Sequence, residues 1–152
     1  MPAQKLKKFL DENNIRYVRI IHSPAYTAQE IAATAHIPGK ELAKTVVVKL
    51  DGELAMAVLP APAQVDTDAL AKAAAAKEAS LATEEEFKDA FPECEIGGMP
   101  PFGNLYGMTV YTDESLAEDD QIAFNAGSHA ELIRMDYKEF VRLVKPKVVK
   151  FA

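Results

Sequence analysis

With a single cysteine, Cys94, the chain has no internal disulfide to form, and this usage fits a reducing compartment. No apolar run approaches the roughly 20 residues that a membrane span requires. The opening residues Met1-Pro2-Ala3-Gln4-Lys5-Leu6-Lys7-Lys8 lack the apolar core of a secretion signal, which predicts a cytoplasmic protein. Basic charge is also short: 17 lysines and arginines stand against 23 acidic residues, a net charge of −6. That balance argues against non-specific binding of duplex DNA, which needs a broad basic surface. A partner held at one end by a few local lysines remains compatible with it, and Lys5, Lys7 and Lys8, with Lys145, Lys147 and Lys150, form the available patches. The histidines His22, His36 and His129 are far apart, and no Cys or His pair has zinc-site spacing, so no metal is expected. There is no Gly-x-Ser-x-Gly elbow, and Gly127-Ser128-His129 puts serine beside histidine without supplying a triad. Glu93 and Glu95 flank Cys94 and disfavour its thiolate, so it reads as structural.

What is present fits one domain, residues 1–152, with enough apolar content to bury a core. Its centre is the stretch Ala43 to Leu50, closed by Asp51-Gly52 and followed by Glu53 to Leu59. A β-branched run, an Asp-Gly pair and a second apolar run predict a hairpin with a two-residue turn. The turn sets the register: Leu50 opposite Glu53, Val48 opposite Ala55, Val46 opposite Ala57, Lys44 opposite Leu59. By alternation Lys44 shares a face with Val46, Val48, Ala55 and Ala57, and Lys49 falls on the other. A lysine thus begins an apolar strand on a face whose partners Ala55 and Ala57 are small, which predicts open space there for a ligand, and the position also suits simple snorkelling to water.

Around the hairpin, helices are predicted over 2–14, from the capping box Thr27-Ala28-Gln29-Glu30 to Ala35, over Ala69–Ala76, after Thr83, and from Asp136-Tyr137-Lys138-Glu139 onward. Strands are predicted over 15–22, 79–82, 107–112, 121–126 and 131–135, with a short edge strand in the tail 147–151. Helices and strands alternate early and hairpin-like strands dominate late. This pattern predicts a mixed α/β sheet with helices packed around it.

Two further segments carry chemistry. Gly97-Gly98-Met99-Pro100-Pro101-Phe102-Gly103 is stiffened by prolines, while its glycines permit positive φ and close approach to a ligand. Such a loop can aim main-chain N–H groups at one point, as an oxyanion site requires, or serve only as a rigid connector. In Phe124-Asn125-Ala126-Gly127-Ser128-His129, Asn125 points away from the face of Phe124 and Ala126. His129, just beyond a glycine turn, can reach a substrate amine, ester or water, or serve as a structural or simply exposed turn residue.

Together, Lys44-Thr45-Val46-Val47-Val48, the Gly-Gly-x-x-Pro-x-Gly loop and the Asn-Ala-Gly segment resemble the YbaK family in order and spacing. That family includes the editing domain inserted in bacterial prolyl-tRNA synthetases and its free-standing relatives. The resemblance runs from the first helix and His22-Ser23-Pro24 to Asp136-Tyr137. It implies an aminoacyl-tRNA deacylase acting in trans on a mischarged tRNA, a YbaK-like, barrel-like mixed sheet surrounded by helices, and no cofactor. It maps the family's functional positions onto Lys44, Gly98, Asn125 and His129. Tyr26, Thr27, Gly97, Met99, Pro101, Phe102 and Gly103 are then expected to line the substrate pocket. The implied partners are the acceptor end of a mischarged tRNA, tRNA(Pro) being favoured, and a synthetase, with neither membrane nor DNA. Alanine, cysteine, serine and threonine are the candidate amino acids, since a methylene is worth only about 1–3 kcal/mol and small residues need a second sieve. Competing functions are a non-catalytic module that binds charged tRNA or a synthetase, and a small-molecule aminoacyl esterase.

Overall fold

The computed structural model describes residues 4–22, 33, 37–91 and 94–152. Helix α1 (Gln4–Glu12) buries Leu6 and Leu10, which recur at helical spacing. Each such leucine contributes about 1.5–3 kcal/mol when removed from water. Strand β1 (Tyr17–Ile21) follows. Strands β2 (Ala43–Leu50) and β3 (Glu53–Pro60) form the central hairpin, and β4 (Ala79–Leu81) pairs with β2 on its other side. Helix α2 (Thr67–Ala73) is capped by Asp66, whose side chain accepts from the Ala69 N–H. Helix α3 (Glu84–Phe87) opens on a full capping box between Thr83 and Glu86. Strands β5 (Val110–Asp113), β6 (Gln121–Asn125) and β7 (Glu131–Asp136), helix α4 (Tyr137–Val144) and strand β8 (Lys147–Val149) complete the described elements. The predicted helix from Thr27 to Ala35 lies, apart from Ala33, outside the described residues.

The mixed α/β class is borne out, with the described strands in two sheets and not one closed barrel. The first has the order β1-β7-β6 and the second β4-β2-β3-β5-β8. An isolated parallel bridge, Leu42 to Ala123, joins them where β2 begins. The hairpin register is the predicted one, from Lys44 opposite Leu59 to Leu50 opposite Glu53. Its turn takes positive φ at Asp51 (50°) and Gly52 (88°), the geometry that matches strand twist in a two-residue loop. The Asp51 carboxylate also accepts the N–H groups of Lys77 and Glu78, which ties the turn to the segment entering β4. These bonds hold its carboxyl below the usual range.

The main core gathers α1, one face of β2 and β3, β6, β7 and α4 around Phe102, which meets Phe9, Phe124 and Phe140 at centroid distances of 6.2, 5.4 and 5.7 Å. On the opposite face of the hairpin, Val48, Ala55, Ala57 and Leu59 pack against Leu70, Tyr111 and Phe151. Alternation had suggested open space beside Ala55 and Ala57. Instead α2 and the C-terminal tail fill it. The tail is held there by Asp113, whose carboxylate accepts from the N–H groups of Phe151 at 2.9 Å and Ala152 at 3.1 Å.

Two details depart from expectation. Asp136 stands at the start of α4 without capping it, because its carboxylate accepts instead from Gln121 Nε2 at 3.2 Å. A 3-10 turn over Glu114–Glu118, not foreseen, follows Asp113, which caps it.

Candidate active site

The glycine loop and the turn after β6 close on each other through paired backbone bonds. The Gly127 N–H donates to the Gly98 carbonyl at 2.8 Å, and the Glu95 N–H donates to the Gly127 carbonyl at 2.8 Å. Asn125 Nδ2 donates to the Gly97 carbonyl at 3.4 Å. His129 is anchored twice: its N–H donates to Glu95 Oε1 at 3.1 Å, and its ring Nε2 lies 2.8 Å from the Ile96 carbonyl. The fit requires glycine. A Cβ on Gly98 would lie 3.0–3.1 Å from the Ser128 backbone, and one on Gly97, where φ is +87°, would lie 3.2 Å from His129 Cε1. Gly98, Asn125 and His129, separated by up to 31 residues in sequence (129 − 98), therefore form one unit.

Within this unit the loop's own donors are partly spent. The Gly97 N–H meets Met99 Sδ at 3.1 Å, and the Gly98 N–H donates to the Glu95 carbonyl at 2.9 Å. The loop therefore does not present a run of free N–H groups at its glycines. Through Nε2 the His129 ring braces the loop. By contrast, Asn125 Oδ1 is buried and accepts no hydrogen bond. The bond from Nδ2 to the Gly97 carbonyl assigns the amide nitrogen and leaves the oxygen as the acceptor without a partner. A buried acceptor without a partner costs about 1–3 kcal/mol, which a bound donor would recover.

Lys44 stands at the start of β2. From the parallel Leu42–Ala123 bridge, two residues onward along each chain lead to Lys44 and Asn125, on the same face as that bridge. The lysine forms no ion pair or hydrogen bond with a described residue. Burial lowers its pKa from the ordinary lysine value. It borders a cavity of about 220 Å³ lined also by Val46, Gln64, Val65 and Leu81.

The remaining candidates divide. Met99 and Phe102 are core residues, 4% and 0% exposed, and Pro101 is buried. Gly103 is glycine for packing: a Cβ there would meet Met108 O and Val110 Cγ2, each at 2.6 Å. Tyr26 and Thr27 lie outside the described residues. Glu95, Gln64 and Leu81 were not anticipated. No local pattern marks them, because each gains its place from a contact distant in sequence. Among the described residues no group of His, Cys, Asp and Glu could hold a metal, and no helix is long and apolar enough to cross a membrane.

Most candidate lysines are already engaged. Lys7 pairs with buried Glu131 at 3.1 Å, Lys8 with Glu12 at 3.9 Å, and Lys5 and Lys147 lie over the rings of Tyr106 and Tyr111.

Known proteins agree with this architecture. Residues 22–143 match the aminoacyl-tRNA editing domain family. The multifunctional Ser/Thr-tRNA deacylase ProXp-y of Escherichia coli strain K12 is 27% identical over 97% of this chain and 91% of its own. A crystal structure of the hypothetical protein APE2540 superposes with a TM-score of 0.87 at 19% identity, over 97% of this chain and 99% of the other. A second, of a candidate trans-editing enzyme for prolyl tRNA synthetase, gives 0.82 at 21% identity, over 98% and 95%. The family match spans most of the chain and includes the lysine strand, the glycine loop and the late turn: the chain belongs to the aminoacyl-tRNA editing domain family, and its enzyme class is that of an aminoacyl-tRNA deacylase.

Proposed function

We propose that this protein acts in trans to hydrolyse the ester of serine or threonine mischarged on a tRNA, with tRNA(Pro) as the acceptor. The observation that carries this reading is the closure of the Gly97–Gly98 turn on Asn125 and His129, which leaves one buried amide oxygen unsatisfied. The E. coli relative's substrate class favours serine and threonine over alanine and cysteine.

In this mechanism Lys44 holds the phosphate or polar groups of the tRNA end, and the Gly98 backbone contacts the aminoacyl group. Asn125 Oδ1 accepts from the substrate's ammonium or hydroxyl, and His129 keeps the loop in place. Water adds to the acyl carbon, the carbonyl oxygen takes the negative charge, and collapse breaks the bond to the ribose oxygen. The neighbouring ribose hydroxyl relays the water's proton to that leaving oxygen. Free amino acid and uncharged tRNA result. The protein contributes orientation and electrostatic stabilisation and no nucleophile. With its lysines largely engaged and a net charge of −6, capture of tRNA rests on the acceptor end, with a shallow salt dependence and delivery by a synthetase.

The test is a deacylation panel of tRNAs charged with alanine, serine, threonine, cysteine and proline, using catalytic amounts of protein. Release of serine and threonine is expected, with proline retained. Protection of every ester would instead identify a binding module, and equal turnover of simple aminoacyl esters a general esterase.

A further inference from the structure

The turn between β6 and β7 closes partly on itself and partly on the glycine loop. Within the hairpin the Ala126 N–H donates to the Glu131 carbonyl at 3.0 Å, and the Ala130 N–H donates to the Ser128 hydroxyl at 3.3 Å. Gly127, with φ at +102°, reverses the chain between them. Across to the loop, three bonds belong to one residue. Glu95 donates its N–H to the Gly127 carbonyl at 2.8 Å, accepts the Gly98 N–H on its own carbonyl at 2.9 Å, and accepts the His129 N–H on its carboxylate at 3.1 Å. Any residue can supply the first two. The third needs a side-chain acceptor of this reach, placed 34 residues before its donor. Glu95 is exposed, so core packing does not account for it.

From that carboxylate a line of contacts leads to Asn125. With the His129 amide fixed, ring Nε2 lies 2.8 Å from the Ile96 carbonyl, and because a carbonyl only accepts, Nε2 carries the proton. Ring Cε1 stands 3.2 Å from where a Gly97 Cβ would be, so the ring rests directly on Gly97. The Gly97 carbonyl in turn accepts from Asn125 Nδ2 at 3.4 Å. This bond is already longer than the roughly 2.9 Å typical of N–H···O pairs, so a small shift of the loop breaks it. It is also the bond that assigns the Asn125 amide and leaves Oδ1 as the acceptor.

We propose that Glu95 is a positioning residue for deacylation, its carboxylate setting the orientation of the Asn125 amide through His129 and Gly97. This rests on the reading of Asn125 Oδ1 as the acceptor for the substrate's ammonium or hydroxyl. Glu95 acts by where it holds the turn, not by its charge, and the tRNA end remains held at Lys44.

The experiment measures kcat and KM on seryl-tRNA(Pro) for wild type, Glu95→Ala and Glu95→Gln, with the folded fraction of each followed by circular dichroism. Glu95→Ala is expected to lower kcat at least tenfold, toward the 10²-fold scale of a misplaced group, with KM within twofold. Glu95→Gln is expected to recover most of that loss, because its amide oxygen accepts the same N–H. If the alanine variant does not fold, Glu95→Asp, whose carboxylate is one methylene short, takes its place. A kcat within twofold of wild type, or a loss no larger than the drop in folded fraction, overturns the proposal and leaves the deacylase reading standing. A glutamine variant as slow as the alanine one also overturns it, since the charge would then be what acts. An inactive wild type overturns the deacylase reading instead, and the side-chain amide resonances of Asn125 then decide: movement in Glu95→Ala with recovery in Glu95→Gln supports the positioning role, and any other pattern refutes it.

Discussion

The Gly98 carbonyl accepts the Gly127 N–H at 2.8 Å, and that bond joins the glycine loop to the turn after β6. Because the Ser128 backbone lies 3.0–3.1 Å from where a Cβ would stand, Gly98→Ala must separate the two turns. Deacylation is expected to fall on the order of 10²-fold, the scale of one misplaced stabilising group, while the thermal midpoint moves little. Rates and melting curves on the same preparation check this. Gly97→Ala adds the strain of a positive φ and should be no milder.

Lys44→Ala is expected to reduce turnover at least 10²-fold with the fold intact by circular dichroism. Burial lowers the Lys44 pKa, so the ammonium is lost at a pH below the ordinary lysine value. Activity that needs the charge should therefore decline on the alkaline side earlier than an exposed lysine would allow. The stability effect has the opposite slope: the penalty for a buried charge is full below the folded pKa and is relieved as pH rises through it. A pH–rate profile, corrected for spontaneous ester hydrolysis, measures the first effect.

Asp113 ties the tail to β5. Burial opposes its ionisation, but hydrogen bonds from the Ser115 hydroxyl and from the Phe151, Ser115 and Ala152 N–H groups outweigh that, and its pKa is lowered. Its contribution is present above the unfolded carboxylate value and is lost as pH falls through the lower folded value. Asp113→Ala is expected to cost about 1–3 kcal/mol at neutral pH, through the buried donors left unpaired. The gap between variant and wild type should narrow in denaturant titrations toward pH 3.

Phe102, although part of the glycine loop, belongs to the core. Phe102→Ala should destabilise by about 3–5 kcal/mol, and Phe102→Leu should keep KM close to wild type. A selective change of amino-acid preference in the leucine variant, without loss of stability, would return this ring to the substrate pocket.

Local sequence determined what adjacent residues can decide. Asp51-Gly52 takes positive φ at both positions, so the turn, the register and the face of Lys44 followed from neighbours alone. The caps at Asp66 and Thr83 are of the same kind, each a side chain meeting a backbone N–H three residues on. The tertiary structure decided what depends on distant closure. Whether Ala55 and Ala57 faced open space depended on Leu70, Tyr111 and Phe151, which arrive from elsewhere in the chain. Likewise Met99 and Phe102 became core, and His129 a brace, only when residues 95–103 met residues 125–129. Turn geometry is a property of a few consecutive residues, whereas a cavity is the space left by segments whose meeting no short stretch encodes.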